Sequence, residues 1–115
     1  MTATHRRAAR RELEAARILQ TERVHRRRYQ RAPDVRPVRL DTGDVLTVEV
    51  KTRGKLPAWL VGALAQAELY LPGGIPVVAL SATGGPPLAV LPLADLARLL
   101  GLQPREVGQQ LPLAA

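Results

Sequence analysis

Three side chains in this sequence could do chemistry together: Asp34 after Pro33, and Glu49 and Lys51 in the string Val48-Glu49-Val50-Lys51. Residues two apart on a strand project to the same side, so Glu49 and Lys51 share one face, and Val48 and Val50 face the core. Two carboxylates beside an ammonium suit hydrolysis of a phosphodiester. The acids bind a hard divalent cation through oxygen. The cation polarises a phosphoryl oxygen and ionises an attacking water. The lysine orients that water or offsets charge on the phosphate. Other chemistries have little to work with. There is no cysteine, and the only histidines are His5 and His25. Thiol catalysis, disulfides and Cys- or His-rich zinc sites are therefore excluded, leaving Mg²⁺ or Mn²⁺ as the expected cation. Ser81 and Thr83 have no nearby histidine in the sequence to activate them.

These residues need a hairpin to meet. Val35 to Leu40 alternates apolar and basic residues, Asp41-Thr42-Gly43-Asp44 signals a tight turn, and Val45 to Arg53 is the clearest strand. A two-residue loop at Thr42-Gly43 would pair Asp41 with Asp44, placing Asp34 opposite Lys51 and Glu49 opposite Arg36. The register is decisive, because a slip of one residue moves Asp34 to the other face. Asp41 and Asp44 at the turn are competing acids for a cation.

The remaining elements frame this hairpin. Ala8 to Gln20 is expected to be a helix, preceded by a basic arm over about residues 1–10. Glu22 to Arg28 is a candidate basic strand. Leu56-Pro57 opens a helix running to about Tyr70, with Leu60, Ala63, Leu64, Ala67 and Leu71 as its buried face and Trp59 expected in the core. Ile75 to Leu80 and Leu88 to Leu91 are short strands, and Leu93 to Leu100 is a last helix ended by Gly101. A tail follows from about residue 103 to 115. The expected order, α-β-β-β-α-β-β-α in one domain over residues 1–115, describes a mixed sheet flanked by helices.

Charge points to the partner. The net charge is +7, and 12 of the 17 Lys and Arg lie in residues 1–39 against four acids. A polyanion, above all nucleic acid, would be drawn to this third of the chain. Arg26, Arg27 and Arg28 form the densest cluster, and Arg53 and Lys55 follow the Glu-X-Lys strand as further candidate phosphate contacts. Prolines and glycines interrupt the most apolar stretch, Ile75 to Leu93, so no membrane span is expected, and the N-terminus lacks the apolar core of a signal peptide. An intracellular, cytoplasmic location is the expectation.

Pro-Asp, fourteen intervening residues, then Glu-X-Lys on the second strand of a hairpin resembles the PD-(D/E)XK nuclease superfamily. The stretch from about Arg11 to Leu100 is similar to its α-β-β-β-α-β restriction-endonuclease-like core. Val48 to Arg53, Leu56-Pro57 and the Ala63 to Ala67 helix resemble small phage-type and archaeal-type Holliday junction resolvases. The resemblance implies Asp34, Glu49 and the Val50 carbonyl as metal ligands, Lys51 as the catalytic lysine, and a first-helix glutamate, Glu14 before Glu12. It also implies that Gln66 and Tyr70, one turn apart on a helix, serve the site or the DNA. Two symmetric cuts in a four-way junction imply a homodimer acting in DNA recombination or repair, with leucine-rich Leu88 to Leu102 as the candidate interface. The alternatives are another nuclease role (flap, mismatch or restriction cleavage), a non-catalytic nucleic-acid-binding protein, or a basic structural protein of a nucleoprotein assembly.

Overall fold

The computed structural model describes residues 2–24 and 33–102. Among them the chain is mixed α/β: α1 (Ala3–Ile18), β1 (Val38–Arg39), β2 (Val45–Leu46), α2 (Ala58–Tyr70), β3 (Val78–Leu80), β4 (Leu88–Val90) and α3 (Leu93–Leu99). The single mixed sheet expected from the sequence is here two separate two-stranded antiparallel sheets, β1-β2 and β3-β4. The chain divides into two compact units, Met1–Thr52 with Ala97–Ala115, and Arg53–Leu96.

In the first unit, α1 begins earlier than its apolar stripe suggests, because Thr2 caps it. The Thr2 hydroxyl accepts from the His5 N–H at 3.1 Å, satisfying one of the donors orphaned at a helix start. The expected N-terminal arm is thus helical from Ala3. The helix stops in a Schellman arrangement. Thr21 N–H bonds the Ala16 carbonyl at 2.8 Å and Gln20 N–H bonds that of Arg17 at 3.2 Å. Gln20 adopts φ 55°, the left-handed conformation usually reserved for glycine at this position. Ala15, Ala16 and Leu19 are buried, as are Val35, Val38 and Ala97.

After the turn, the chain doubles back on the segment that carries Asp34. Arg23 and Val35 form an antiparallel bridge, flanked by Val24 N–H to Asp34 C=O at 3.0 Å and Arg36 N–H to Glu22 C=O at 2.7 Å. The Thr21 hydroxyl adds a bond to the Arg36 carbonyl at 2.8 Å. Of the strand expected over Glu22 to Arg28, this bridge is what the described residues contain. Residues 25–28 lie outside them.

The hairpin corrects the expected register. Val38 pairs with Leu46 and Arg39 with Val45, one residue away from the pairing that a two-residue loop would set. The reason is the turn. Leu40 N–H bonds Asp44 C=O and Gly43 N–H bonds Leu40 C=O, each at 2.9 Å, with Gly43 at φ 93°. This is a three-residue loop, Asp41-Thr42-Gly43, in which glycine supplies the left-handed residue. The ladder is also shorter than the alternating Val45 to Arg53 pattern suggests, ending at Leu46.

In the second unit, Pro57 starts α2 and its carbonyl accepts from Leu60 and Val61 N–H. Leu60, Ala63, Leu64 and Ala67 are half-buried, at the spacing of one helical face. Leu71 and Trp59, expected to be buried, are exposed; Trp59 is 58% exposed. Leu71 has already left the helix in an extended conformation. α2 packs along β3. β3 pairs with β4 in the register Val78↔Val90, Ala79↔Ala89, Leu80↔Leu88, the chain turning through Gly84-Gly85. α3, whose residues from Ala97 onward belong to the first unit, ends with the same arrangement as α1: Leu102 N–H to Ala97 C=O at 2.8 Å, with Gly101 at φ 77°.

Candidate functional site

Asp34 is the one charged residue buried among those described, at 6% exposure. Pro33 precedes it and the Arg23–Val35 bridge follows it, so its backbone is fixed from both sides. Its carboxylate oxygen Oδ2 accepts from the Val50 N–H at 2.6 Å. A carboxylate bonded to a backbone N–H is charge-assisted, with about twice the strength of a neutral bond. The Val50 nitrogen is joined directly to the Glu49 carbonyl carbon, so Oδ2 lies within about 5 Å of the Glu49 Cα by covalent geometry. Asp34 therefore meets the Glu49-Val50-Lys51 string at its central peptide.

The ladder ends at Leu46, and it is the Val50 N–H bond that sets Asp34 against Val50 and not against Lys51. Glu49 and Lys51 stand together on the exposed side, at 72% and 66% exposure, with Lys51 Nζ 3.2 Å from Glu49 Oε1. Val48 and Val50 are half-buried. An exposed pair of this kind contributes only about 0–1 kcal/mol to stability.

The other expected site residues separate into groups. Glu14 pairs with Arg11 on the exposed surface of α1 at 2.9 Å. Glu12 has the more connected position. Its Oε2 lies 2.7 Å from Arg23 Nε, with side-chain exposures of 13% and 28%, and Arg23 is the residue whose backbone bridges Val35 beside Asp34. The sequence contains a signal for this. Glu12, Ala15, Ala16 and Leu19 fall at i, i+3, i+4 and i+7, so Glu12 continues the buried stripe while Glu14 does not. Gln66 and Tyr70 are both exposed on α2 of the second unit. Arg53 and Lys55 begin that unit and are exposed. Arg26, Arg27 and Arg28 lie outside the described residues.

Among the described residues no group of three or more His, Cys, Asp or Glu side chains is placed to hold a metal ion. Asp34 and Glu49 offer oxygen donors, the kind that suits Mg²⁺, but they stand apart in orientation: Asp34 is buried against the Val50 N–H, and Glu49 is exposed against Lys51. Of the competing acids, Asp44 accepts from the Thr42 hydroxyl at 2.8 Å, which ties it to the turn. No helix among the described residues is long and apolar enough to cross a membrane. Comparison with known proteins finds no matching family model, no matching characterised protein and no matching solved structure.

Proposed function

We propose that this chain is a Mg²⁺-dependent, structure-specific DNA endonuclease with a restriction-endonuclease-like core, acting as a homodimer on four-way junctions. The observation that carries the reading is the 2.6 Å bond from Val50 N–H to the buried Asp34 carboxylate. It joins the Pro-Asp and Glu-X-Lys halves of the motif, sixteen residues apart, at one peptide. Asp34, Glu49 and the Val50 carbonyl would hold the cation, which supplies Lewis acidity and an ionised water when bound. Lys51 orients the attacking water and offsets charge on the phosphate. The water oxygen forms a bond to phosphorus, the ester bond to the departing strand end breaks, and a proton passes to that leaving oxygen. Two cuts related by a dyad need two chains, and Leu88 of β4 offers an exposed apolar side chain from the leucine-rich stretch.

A second reading, a non-catalytic nucleic-acid-binding protein, is favoured by the register. It departs from the pairing that would set Asp34 opposite Lys51, and the bond between Asp34 and Val50 serves packing as well as it serves a site. Incubating the protein with a synthetic four-way junction and a linear duplex, with and without Mg²⁺, separates the two. The nuclease reading expects metal-dependent cutting of the junction that Glu49→Ala and Lys51→Ala abolish. Equal DNA binding by wild type and both variants, with no cutting in Mg²⁺ or Mn²⁺, would establish the second reading.

A further inference from the structure

Helix α1 carries five arginines, Arg6, Arg7, Arg10, Arg11 and Arg17, and every one is exposed. At 3.6 residues per turn, Arg6, Arg10 and Arg17 fall within an arc of about 40°, directly opposite the buried Ala15, Ala16 and Leu19. Arg7 and Arg11 continue the basic surface on one side. Among the described residues Arg11 is the one of the five with an ion-pair partner, Glu14. Glu14 is the one acid on this side of α1 and is paired with Arg11, so the face is strongly positive.

We propose that the outward face of α1 is a contact surface for the sugar–phosphate backbone of duplex DNA, gripping it without reading bases. The proposal rests on the nuclease reading only for the choice of DNA as the polyanion. The run from Arg6 to Arg17 covers about 16 Å of helix, a length over which a duplex presents roughly nine phosphate charges. The guanidinium fork matches phosphate oxygens in bidentate geometry, which suits arginine better than lysine to this task. A lipid surface is a poor fit. A helix that lies on a membrane inserts its apolar face, and here Ala15, Ala16 and Leu19 are buried within the protein, with Leu13 the one large apolar side chain that α1 exposes.

The test uses the full chain in EDTA, so that binding is read without cleavage. Anisotropy of a short labelled duplex is followed across a salt series for wild type, for Arg6→Ala/Arg10→Ala/Arg17→Ala, and for the matching Arg→Lys triple. The expected result is a salt slope less steep by about three in the alanine triple, equal for two unrelated sequences, and a slope largely retained in the lysine triple. Affinity at low salt falls about tenfold or more in the alanine triple. Circular dichroism confirms that both triples keep their helix. A wild-type slope in the alanine triple overturns the assignment, as does a loss confined to vesicles containing phosphatidylserine with duplex binding intact. Absence of nuclease activity would leave this result standing, and an unchanged slope would remove the surface while leaving cleavage untouched.

Discussion

A carboxylate shielded from water as Asp34 is must recover its hydration energy from specific partners, and the Val50 N–H is one of them. Asp34 therefore has a structural task whatever else it does, and the two tasks separate by substitution. Asp34→Ala removes the acceptor and is expected to lower stability by about 1–3 kcal/mol, seen as a lower melting temperature by circular dichroism. Asp34→Asn keeps a carbonyl that can accept from Val50 and should melt closer to wild type. On the nuclease reading both variants lose metal-dependent cutting, and by more than the roughly 10–100-fold typical of residues that only orient a metal ligand. An Asp34→Asn protein with wild-type cutting would show that the carboxylate charge is not used. At this scale the sequence was informative in type and misleading in position. Asp34, Glu49 and Lys51 could be picked out from their spacing. Their mutual orientation could not, because it depends on the left-handed φ of Gly43, and one residue of register reverses which side chains face each other.

Among the elements, the helix ends offer a clean comparison. α1 and α3 finish with the same hydrogen-bond pattern, but α3 has Gly101 at the left-handed position and α1 has Gln20. A Cβ in that conformation costs roughly 1–2 kcal/mol, so Gln20→Gly is expected to stabilise the protein by about 1 kcal/mol in chemical denaturation. The tie between α1 and the Asp34 segment is a second measurable feature. The Glu12–Arg23 pair is mostly shielded and the Arg11–Glu14 pair is open to solvent. A double-mutant cycle should give a coupling of about 1–3 kcal/mol for the first, against about 0.3–0.5 kcal/mol for the second. Equal couplings would mean that Glu12 does not anchor this segment. The presence of the three helices was legible from periodicity and from breakers such as Pro57 and Gly101, but the start of α1 was not, because its Thr2 cap precedes the apolar stripe. The sheet was not, because alternation in Val45 to Arg53 marks an extended segment with one half-buried side and says nothing of whether a partner strand accompanies it. Beyond Leu46 the ladder stops, although Val48 and Val50 stay half-buried and Glu49 and Lys51 exposed, as the alternation requires.

For the molecule as a whole, charge and apolar surface are segregated along the chain. Residues 1–39 hold most of the arginines. The Arg53–Leu96 unit carries four charged residues, Arg53, Lys55, Glu68 and Asp95, which cancel. That unit also exposes Leu56, Trp59, Val61, Leu69, Tyr70 and Leu71. Exposed apolar surface of this kind commonly marks an interaction site, and a neutral unit lets two copies approach where two arginine-rich faces would repel. The proposed homodimer predicts a sedimenting species of twice the 12.5 kDa chain mass at micromolar concentration, weakened by Leu88→Glu. A 12.5 kDa species at every concentration would remove the dimer and with it the case for paired cuts.

The central claim, that a hard cation binds where Asp34 meets the Glu49-Val50-Lys51 string, is open to direct measurement. Mn²⁺ broadens the NMR signals of nearby backbone amides, and the Val50 N–H is itself the hydrogen-bond donor to Asp34. Titration of substoichiometric Mn²⁺ into the ¹⁵N-labelled protein should broaden Val50 and Lys51 first, and Asp34→Asn should abolish the effect. Broadening centred instead on Asp41 and Asp44 at the hairpin turn, or none at all near Val50, would contradict the account.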